Sequence, residues 1–148
     1  MSATAWSVYN EAKKYLGAGT IVLPGAFRIT LHTSASNAAT ATLSQFSELT
    51  NEVTEANGYS SSGKALANEA WTAGASAGQY KFDADDPFWS ANGGSISNIK
   101  FAVIWQSAGV TASRKLLCRS TLTSSQFALS AGNRLTVTMA AAGILTLA

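Results

Sequence analysis

The sequence offers few side chains that could act as a catalytic base or nucleophile. Its 148 residues include one histidine, His32, and one cysteine, Cys118. Cys118 lies in an apolar run, which favours a buried small hydrophobic side chain over a reactive thiol. His32 falls on the polar side of an alternating segment, so we expect it at the surface. Because these patterns place no base beside a nucleophile, we expect a protein that is not an enzyme.

Three carboxylates cluster between residues 83 and 86. Asp83, Asp85 and Asp86 offer the oxygen ligands that calcium prefers. The run lacks the glycine and the distal glutamate that complete a calcium-binding loop. Aspartate before a proline, here Pro87, also favours a turn. We therefore predict a turn without a cofactor, and a weak metal site is the alternative.

Aromatic side chains could stack against a partner. Two of the four tryptophans, Trp71 and Trp105, fall within strand patterns and are predicted to lie in the core. Tryptophan is enriched at binding hot spots, so aromatic residues outside clear strands are candidate contacts for a subunit or a sugar. These candidates are Trp6, Tyr9, Phe88 and Trp89. The alternative is that they pack over an open end of a sheet.

The composition favours assembly with other proteins. Charged residues make up only 12% of the chain, about half of the roughly 25% that is usual. A surface of serine, threonine, alanine and asparagine is easily desolvated against a partner. We therefore expect a subunit that forms homo-oligomers, with a compact secreted monomer as the alternative. The net charge is only +2 and the basic residues are scattered, so we expect no nucleic-acid binding.

The length predicts a single β-rich domain over residues 1–148. Residues 1–18 are expected to form an N-terminal helix or arm, since Val8, Ala12 and Leu16 recur at helical spacing. Thr4 or Ser7 is the expected cap, and a glycine at position 17 is placed to end the helix. No signal peptide and no membrane-spanning run is visible, so we expect a chain made in the cytoplasm without membrane contact.

Residues 20–148 are predicted to form a β core. Phe27–Thr33 alternates between apolar and polar residues, so its apolar side chains should face the core and its polar ones, including His32, should face outward. Ser97–Gln106 is apolar on both faces and is predicted to be one central strand. Further strands are expected at residues 65–72, 79–83, 88–90, 116–122, 134–139 and 143–147. About eight short strands separated by turns such as Asn57–Gly58 predict an antiparallel β-sandwich or a barrel-like domain.

Several short motifs follow one another in a distinctive order. They are Leu49–Val53, Asn57–Tyr59, Phe82–Asp86, Gly93–Ile96, Ala102–Trp105 and Gly143–Leu147. Together with the N-terminal helix and the Phe27–Thr33 strand, this order resembles a family of small virion proteins of tailed bacteriophages. The similarity covers most of the chain.

The resemblance implies a structural role in the virus particle. The leading expectation is a head decoration or cement protein that binds the major capsid protein lattice, for example as a trimer. The family contributes no catalytic residues. One alternative is a tail or neck subunit. Another is a carbohydrate-binding β-sandwich module that uses Phe88, Trp89 and the Asp83–Asp86 run.

Overall fold

The computed structural model describes residues 5–108 and 114–148. Its elements are β1 (Ser7–Val8), α1 (Asn10–Gly17), β2 (Phe27–His32), a 3₁₀-helix (Phe46–Glu48), β3 (Lys64–Ala65), β4 (Ala70–Ala73), β5 (Tyr80–Asp83), β6 (Phe88–Ser90), β7 (Ile96–Ile99), β8 (Phe101–Gln106), β9 (Leu116–Thr121), β10 (Phe127–Leu129), β11 (Arg134–Thr136) and β12 (Leu145–Leu147). All the strand pairs are antiparallel. The prediction of a mostly β fold with a short N-terminal helix is confirmed, although the described strands are shorter and more numerous than expected.

The largest sheet has five strands in the order β1-β9-β8-β2-β3. Its middle strand, β8, is buried on both faces from Phe101 to Trp105. This confirms the prediction of a central strand in this part of the chain. The neighbouring strands β2 and β9 are also mostly buried, so these three strands form the centre of the hydrophobic core.

The remaining strands form three smaller sheets, which are β10-β7, β11-β6 and β12-β5-β4. The β4–β5 hairpin lies where the sequence predicted one, with its connection at residues 74–79. The three-stranded sheet contacts the five-stranded sheet through Phe82 of β5 and Phe27 of β2, whose ring centroids are 5.1 Å apart. The architecture is therefore sandwich-like.

Two predicted strands are each divided in two. The run Ser97–Gln106 becomes β7 and β8, which belong to different sheets. Residues 65–72 likewise divide into β3 and β4. Asn98 has a φ of 63° and Asn68 a φ of 53°. Asn68 lies between β3 and β4, where a left-handed residue interrupts the pleat, and asparagine tolerates this conformation better than most residues. Asn98 lies within β7, whose pairing with β10 is irregular at this point, and the break between β7 and β8 falls at Lys100.

The N-terminal helix begins later than predicted. Ser7 is not a cap, because it belongs to β1 and pairs with Arg119 of β9. The chain stays extended up to Tyr9, whose backbone N–H donates to the Leu117 carbonyl at 3.1 Å. Thr4 lies outside the described residues. The end at Gly17 is confirmed, and none of the described helices is long and apolar enough to span a membrane.

The predicted turn at Asn57–Gly58 is present and is packed tightly against β6. Both residues have positive φ, as a type I′ turn requires. A Cβ atom on Gly58 would lie 2.2 Å from the carbonyl oxygen of Ser90. The side-chain amide of Asn57 also donates to the Ser95 carbonyl at 2.8 Å. Two of the motifs noted in the sequence, at residues 57–59 and 93–96, are therefore in direct contact.

Candidate binding surface

The single histidine lies inside the molecule, so the prediction of a surface position is wrong. His32 is 1% exposed, and burial lowers its pKa to about 4. Its Nδ1 lies 3.2 Å from the carbonyl oxygen of Thr50, and its Nε2 lies 3.0 Å from Oγ1 of Thr30. Because a carbonyl oxygen only accepts, Nδ1 carries the proton and Nε2 accepts from the Thr30 hydroxyl. Ser36 Oγ is 3.4 Å from Nδ1, but a protonated nitrogen cannot act as its base.

Thr30 and His32 show why the alternation in β2 was misleading. Polar residues occupy every second position of β2, which predicts an outward-facing side, yet Thr30 and His32 on that side are both buried. They satisfy each other by a hydrogen bond, which removes most of the penalty for burying polar groups. Cys118, which was predicted to be a buried hydrophobic side chain, is fully buried, and burial raises the pKa of its thiol.

Sequence reasoning missed one pattern that could suggest a nucleophile. Residues 74–78 read Gly-Ala-Ser-Ala-Gly around Ser76, which are the letters of a nucleophile elbow. An elbow needs a sharp turn from a strand into a helix, whereas this segment joins β4 to β5 in a hairpin. Gln79 closes the loop by accepting from the Ala75 N–H and donating to the Ser76 carbonyl. The ring nitrogens of His32 contact Thr30, Thr50 and Ser36 rather than Ser76. The match to a nucleophile elbow is therefore confined to the sequence and has no counterpart in the structure.

The three clustered carboxylates do not converge on one point. Asp83 pairs at 2.9 Å with a lysine two residues earlier in β5. Asp85 accepts from the side-chain amide of Asn68 at 2.6 Å, and Asp86 accepts from the backbone N–H of Met139 at 2.7 Å. Asp85 and Asp86 thus tie two different segments to the turn, whereas Asp83 pairs within its own strand. Within residues 5–108 and 114–148, no group of three or more potential ligands is arranged to hold a metal.

Two of the four predicted aromatic contacts lie in the interior. Tyr9 is 0% exposed, and its hydroxyl donates to the Ala38 carbonyl at 2.8 Å. Trp89 is 2% exposed. The expectation of an exposed contact is therefore wrong for both, because their side chains complete the core instead. Trp6 is half-buried and Phe88 is exposed, so for these two a contact with a partner stays a prediction.

An apolar cleft opens between α1 and the three-stranded sheet, with a volume of about 650 Å³. This size falls within the roughly 300–1,000 Å³ that is typical of ligand-binding pockets. Its apolar lining includes Val8, Leu16, Val22, Trp71, Leu145 and Leu147. Among the described residues that line this apolar cleft, Lys13 alone is charged.

One wall of the apolar cleft is a face of the sheet β12-β5-β4. Trp71, Phe82 and Leu145 lie opposite one another in one row, and Tyr80 lies opposite Leu147 in the next. Residues in directly opposed positions, and residues two apart along a strand, point to the same face of a sheet. These five apolar side chains therefore share one face.

Only part of this face is covered by the rest of the protein. Phe82 is 0% exposed, whereas Tyr80 is 49% and Leu147 is 66% exposed. Trp71 was predicted to lie in the core but is only half-buried, and it stacks on Tyr80 with ring planes 11° apart. The face therefore extends from the core into solvent, with an aromatic pair at its outer part.

The opposite wall is formed by the end of α1 and the loop that follows it. The N–H groups of Thr20 and Ile21 both donate to the Tyr15 carbonyl, at 2.9 and 3.1 Å, which folds the loop back on the helix. Gly19 permits this reversal because its φ is 73°. Ile21 is buried and anchors the loop, while Val22 is 58% exposed at the rim.

The arrangement can bind an apolar group but offers no acid–base chemistry. Apart from the Lys13 ammonium, its described lining holds no titratable side chain. Sequence reasoning did not find Val22, Tyr80 or Leu147. The sequence alternation does indicate that Tyr80 and Phe82 point to the same face of their strand. However, alternation does not show which part of an apolar face remains uncovered.

Comparisons with protein-family models, with curated proteins and with solved structures found no match to this chain.

Proposed function

We propose that this chain is a non-enzymatic structural subunit of a bacteriophage virion. In this proposal it is a head decoration protein that binds the major capsid protein lattice, and the apolar cleft is its docking site. The observation that carries the proposal is a partly uncovered apolar face: Trp71 and Leu147 line the cleft, exposed Tyr80 lies beside them, and Lys13 is the one charged residue in the described lining. The order of sequence motifs supports the choice of a virion partner.

The chemistry of the apolar cleft suits a protein partner. Contiguous exposed apolar surface is uncommon on proteins that remain solitary. Trp71 and Tyr80 are of the residue types that most often act as hot spots, and together they form a stacked pair. The cleft walls are held by the β4–β5 ladder and by the backbone bonds of the loop after α1. A preformed site of this kind loses little conformational entropy on binding.

The proposed effect on the particle is stabilisation by mass action. A subunit that binds the assembled lattice but not the free capsid protein shifts the equilibrium toward the assembled state. Many copies on one shell would add their modest contributions. Binding alone is sufficient for this role, and it requires no group that turns over a substrate.

The proposal is tested by asking whether the chain is present on particles, and where. Mass spectrometry of purified virions from a lysate that produces this chain should detect it in many copies. Cryo-electron microscopy should place its density on the head surface. Density on the tail or neck would support that alternative subunit instead, and absence from the particles would contradict a virion role.

The contribution of the cleft is tested with Trp71→Ala and Leu147→Ser. Each should weaken binding to undecorated capsid shells in a co-sedimentation assay by roughly tenfold or more, because hot-spot truncations remove at least this much affinity. Thr72→Ala is a matched control, since Thr72 is exposed on the same strand and points to the opposite face. Normal binding by both cleft variants would place the docking surface elsewhere.

The residue on which the carbohydrate-binding alternative mainly depended is buried. This alternative relied on Trp89 as the platform on which a sugar ring stacks, and this side chain is 2% exposed. The Asp83–Asp86 run, which was to supply polar contacts, is occupied with internal partners. We therefore propose no second function.

A further inference from the structure

Away from the apolar cleft, two cations lie close to one exposed aromatic ring. The Nζ atom of Lys64 is 4.5 Å from the ring centroid of Phe88, and the guanidinium carbon of Arg134 is 4.2 Å from the same centroid. The Phe88 side chain is 41% exposed. We call these three residues the cationic cluster.

No acidic side chain neutralises this cluster within the described part of the chain. Lys64 and Arg134 form no ion pair there, and the ion pairs that are present involve Lys14 and Lys81. The Lys64 ammonium donates one hydrogen bond, to the carbonyl oxygen of Phe88. An ammonium has three donors and a guanidinium has five, so most donors of the cluster remain available to a ligand.

The fold holds both cations in place. Lys64 follows Gly63, whose φ is 64° and whose added Cβ would lie 1.9 Å from the Ile29 carbonyl oxygen, so the backbone before Lys64 is packed against β2. Arg28 fastens the same loop by donating to the Ser62 and Gly63 carbonyls at 2.9 and 2.8 Å.

Arg134 is positioned by the pairing of β11 with β6, the strand that holds the ring. It lies opposite Ser90 in the β6–β11 pair, one diagonal step from Phe88. Diagonal neighbours on one face are within reach of long side chains. The cluster therefore joins strands from two sheets, and both charges lie within 4.5 Å of the same ring centroid.

We propose that the cationic cluster is a second docking surface, which binds a carboxylate side chain of a partner protein. Two like charges near one ring repel each other, and an anion bound close to both relieves that repulsion. Arginine matches the planar geometry of a carboxylate with two parallel hydrogen bonds, and lysine adds a point charge. The proposal goes beyond the apolar cleft and does not depend on the identity of the particle.

A carboxylate suits the cluster better than nucleic acid does. Binding to nucleic acid generally uses a continuous set of cations that follow the phosphate backbone. Here the chain has a net charge of only +2 and its ten basic residues are scattered. Two cations beside a single ring fit one or two carboxylates, such as those of neighbouring glutamates in an acidic segment.

The test uses a capped tetraglutamate peptide and the full chain labelled with ¹⁵N. The peptide should cause saturable chemical-shift changes at the amides of Phe88, Trp89 and Arg134. Arg134→Gln and Lys64→Gln should each weaken this binding by roughly tenfold. Lys14→Gln is the matched control, because it removes the same charge from an exposed position on α1 outside both proposed surfaces, and it should change the affinity less than about twofold.

Three results would overturn the proposal. Shifts that spread evenly over the surface, or an equal loss of affinity in Lys14→Gln, would mean that the peptide senses only net charge. Tighter binding of an oligothymidine of equal charge at the same amides would indicate a nucleic-acid site. Thermal unfolding followed by circular dichroism confirms that each variant is folded, so a lost signal reports on the cluster itself.

Discussion

The five-stranded and three-stranded sheets each contain a tryptophan, and the two side chains differ in how far the fold encloses them. Trp105 lies in β8, between two strands, and is 0% exposed with its ring stacked 4.1 Å from that of Phe46. Trp71 lies in β4, at the edge of its sheet, and is half-buried against Tyr80 at 6.3 Å. The first tryptophan is enclosed by the fold, whereas the second is left partly open beside the cleft. What covers a face of a sheet decides which side chains remain available for binding: Phe46 lies over Trp105, whereas Tyr80, beside Trp71, is 49% exposed even though it lies in the central strand of its sheet.

The sharpest test of this contrast compares the two tryptophans. Trp105→Ala should lower the free energy of unfolding by about 3–5 kcal/mol, because it leaves a large cavity in the core. Trp71→Ala should lower it by about 1 kcal/mol, since solvent already reaches the side chain. Urea unfolding of both variants gives the two values. Equal losses would show that the three-stranded sheet is as essential to the core as the five-stranded one.

The pH dependence of stability should arise in the five-stranded sheet. The pKa of His32 is about 4 in the folded protein, against an ordinary value of 6.5. Between these values the unfolded chain binds a proton that the folded chain does not, so stability falls as the pH drops from 6.5 to 4, by on the order of 3 kcal/mol.

The measurement is a series of unfolding curves of the wild type and His32→Gln across this range. Burial raises the pKa of Glu52, and this acts in the opposite sense, because the folded protein then holds the extra proton. The difference between wild type and variant isolates the histidine, and it should shrink steadily as the pH falls. A constant difference would contradict the assigned role of His32.

Two glycines with positive φ provide a third comparison. Gly63→Ala should lower the free energy of unfolding by about 2–3 kcal/mol, because the new methyl group meets the backbone of β2 in addition to the backbone strain. Gly78, in the β4–β5 connection, has a φ of 78° but nothing within 4 Å of an added Cβ. Gly78→Ala should therefore lower stability by only about 1 kcal/mol. Thermal unfolding distinguishes the two, and equal losses would mean that the loop before β3 can shift away from β2.

The smallest effect on stability is expected at the exposed end of β12. Leu147→Ser should change the free energy of unfolding by less than about 0.5 kcal/mol, since Leu147 is 66% exposed. The same variant should lose affinity for capsid shells, so stability and binding separate at this position. A loss of stability comparable to that of Trp71→Ala would show that Leu147 belongs to the core.

The sequence was a good guide wherever local chemistry decides the structure. The turn at Asn57–Gly58, the end of α1 at Gly17 and the β4–β5 hairpin were all predicted from residues that are neighbours in the chain. The divided strands were missed because apolar residues lie on both sides of the breaks, which fall around Asn68 and at Lys100. For the first break the available signal was Asn68, since asparagine enters the left-handed region more readily than most residues.

The candidate surfaces were less predictable because they depend on contacts between distant segments. Trp89 was expected outside and is enclosed, whereas Trp71 was expected inside and is half-open. The cationic cluster brings together residues 64, 88 and 134. No local pattern reports which element will cover a given face, or which charges will meet across two sheets.

The pairing of β1 with β9 has a consequence for the speed of folding. Ser7 pairs with Arg119, so this outermost strand pair of the five-stranded sheet forms only after two segments that are far apart in the sequence have met. Proteins dominated by such non-local pairings fold on a timescale of roughly milliseconds to seconds, far more slowly than helical bundles. During that interval the far side of β9 offers unpaired backbone groups to any other strand nearby, and rapid refolding at high concentration should favour aggregation over recovery.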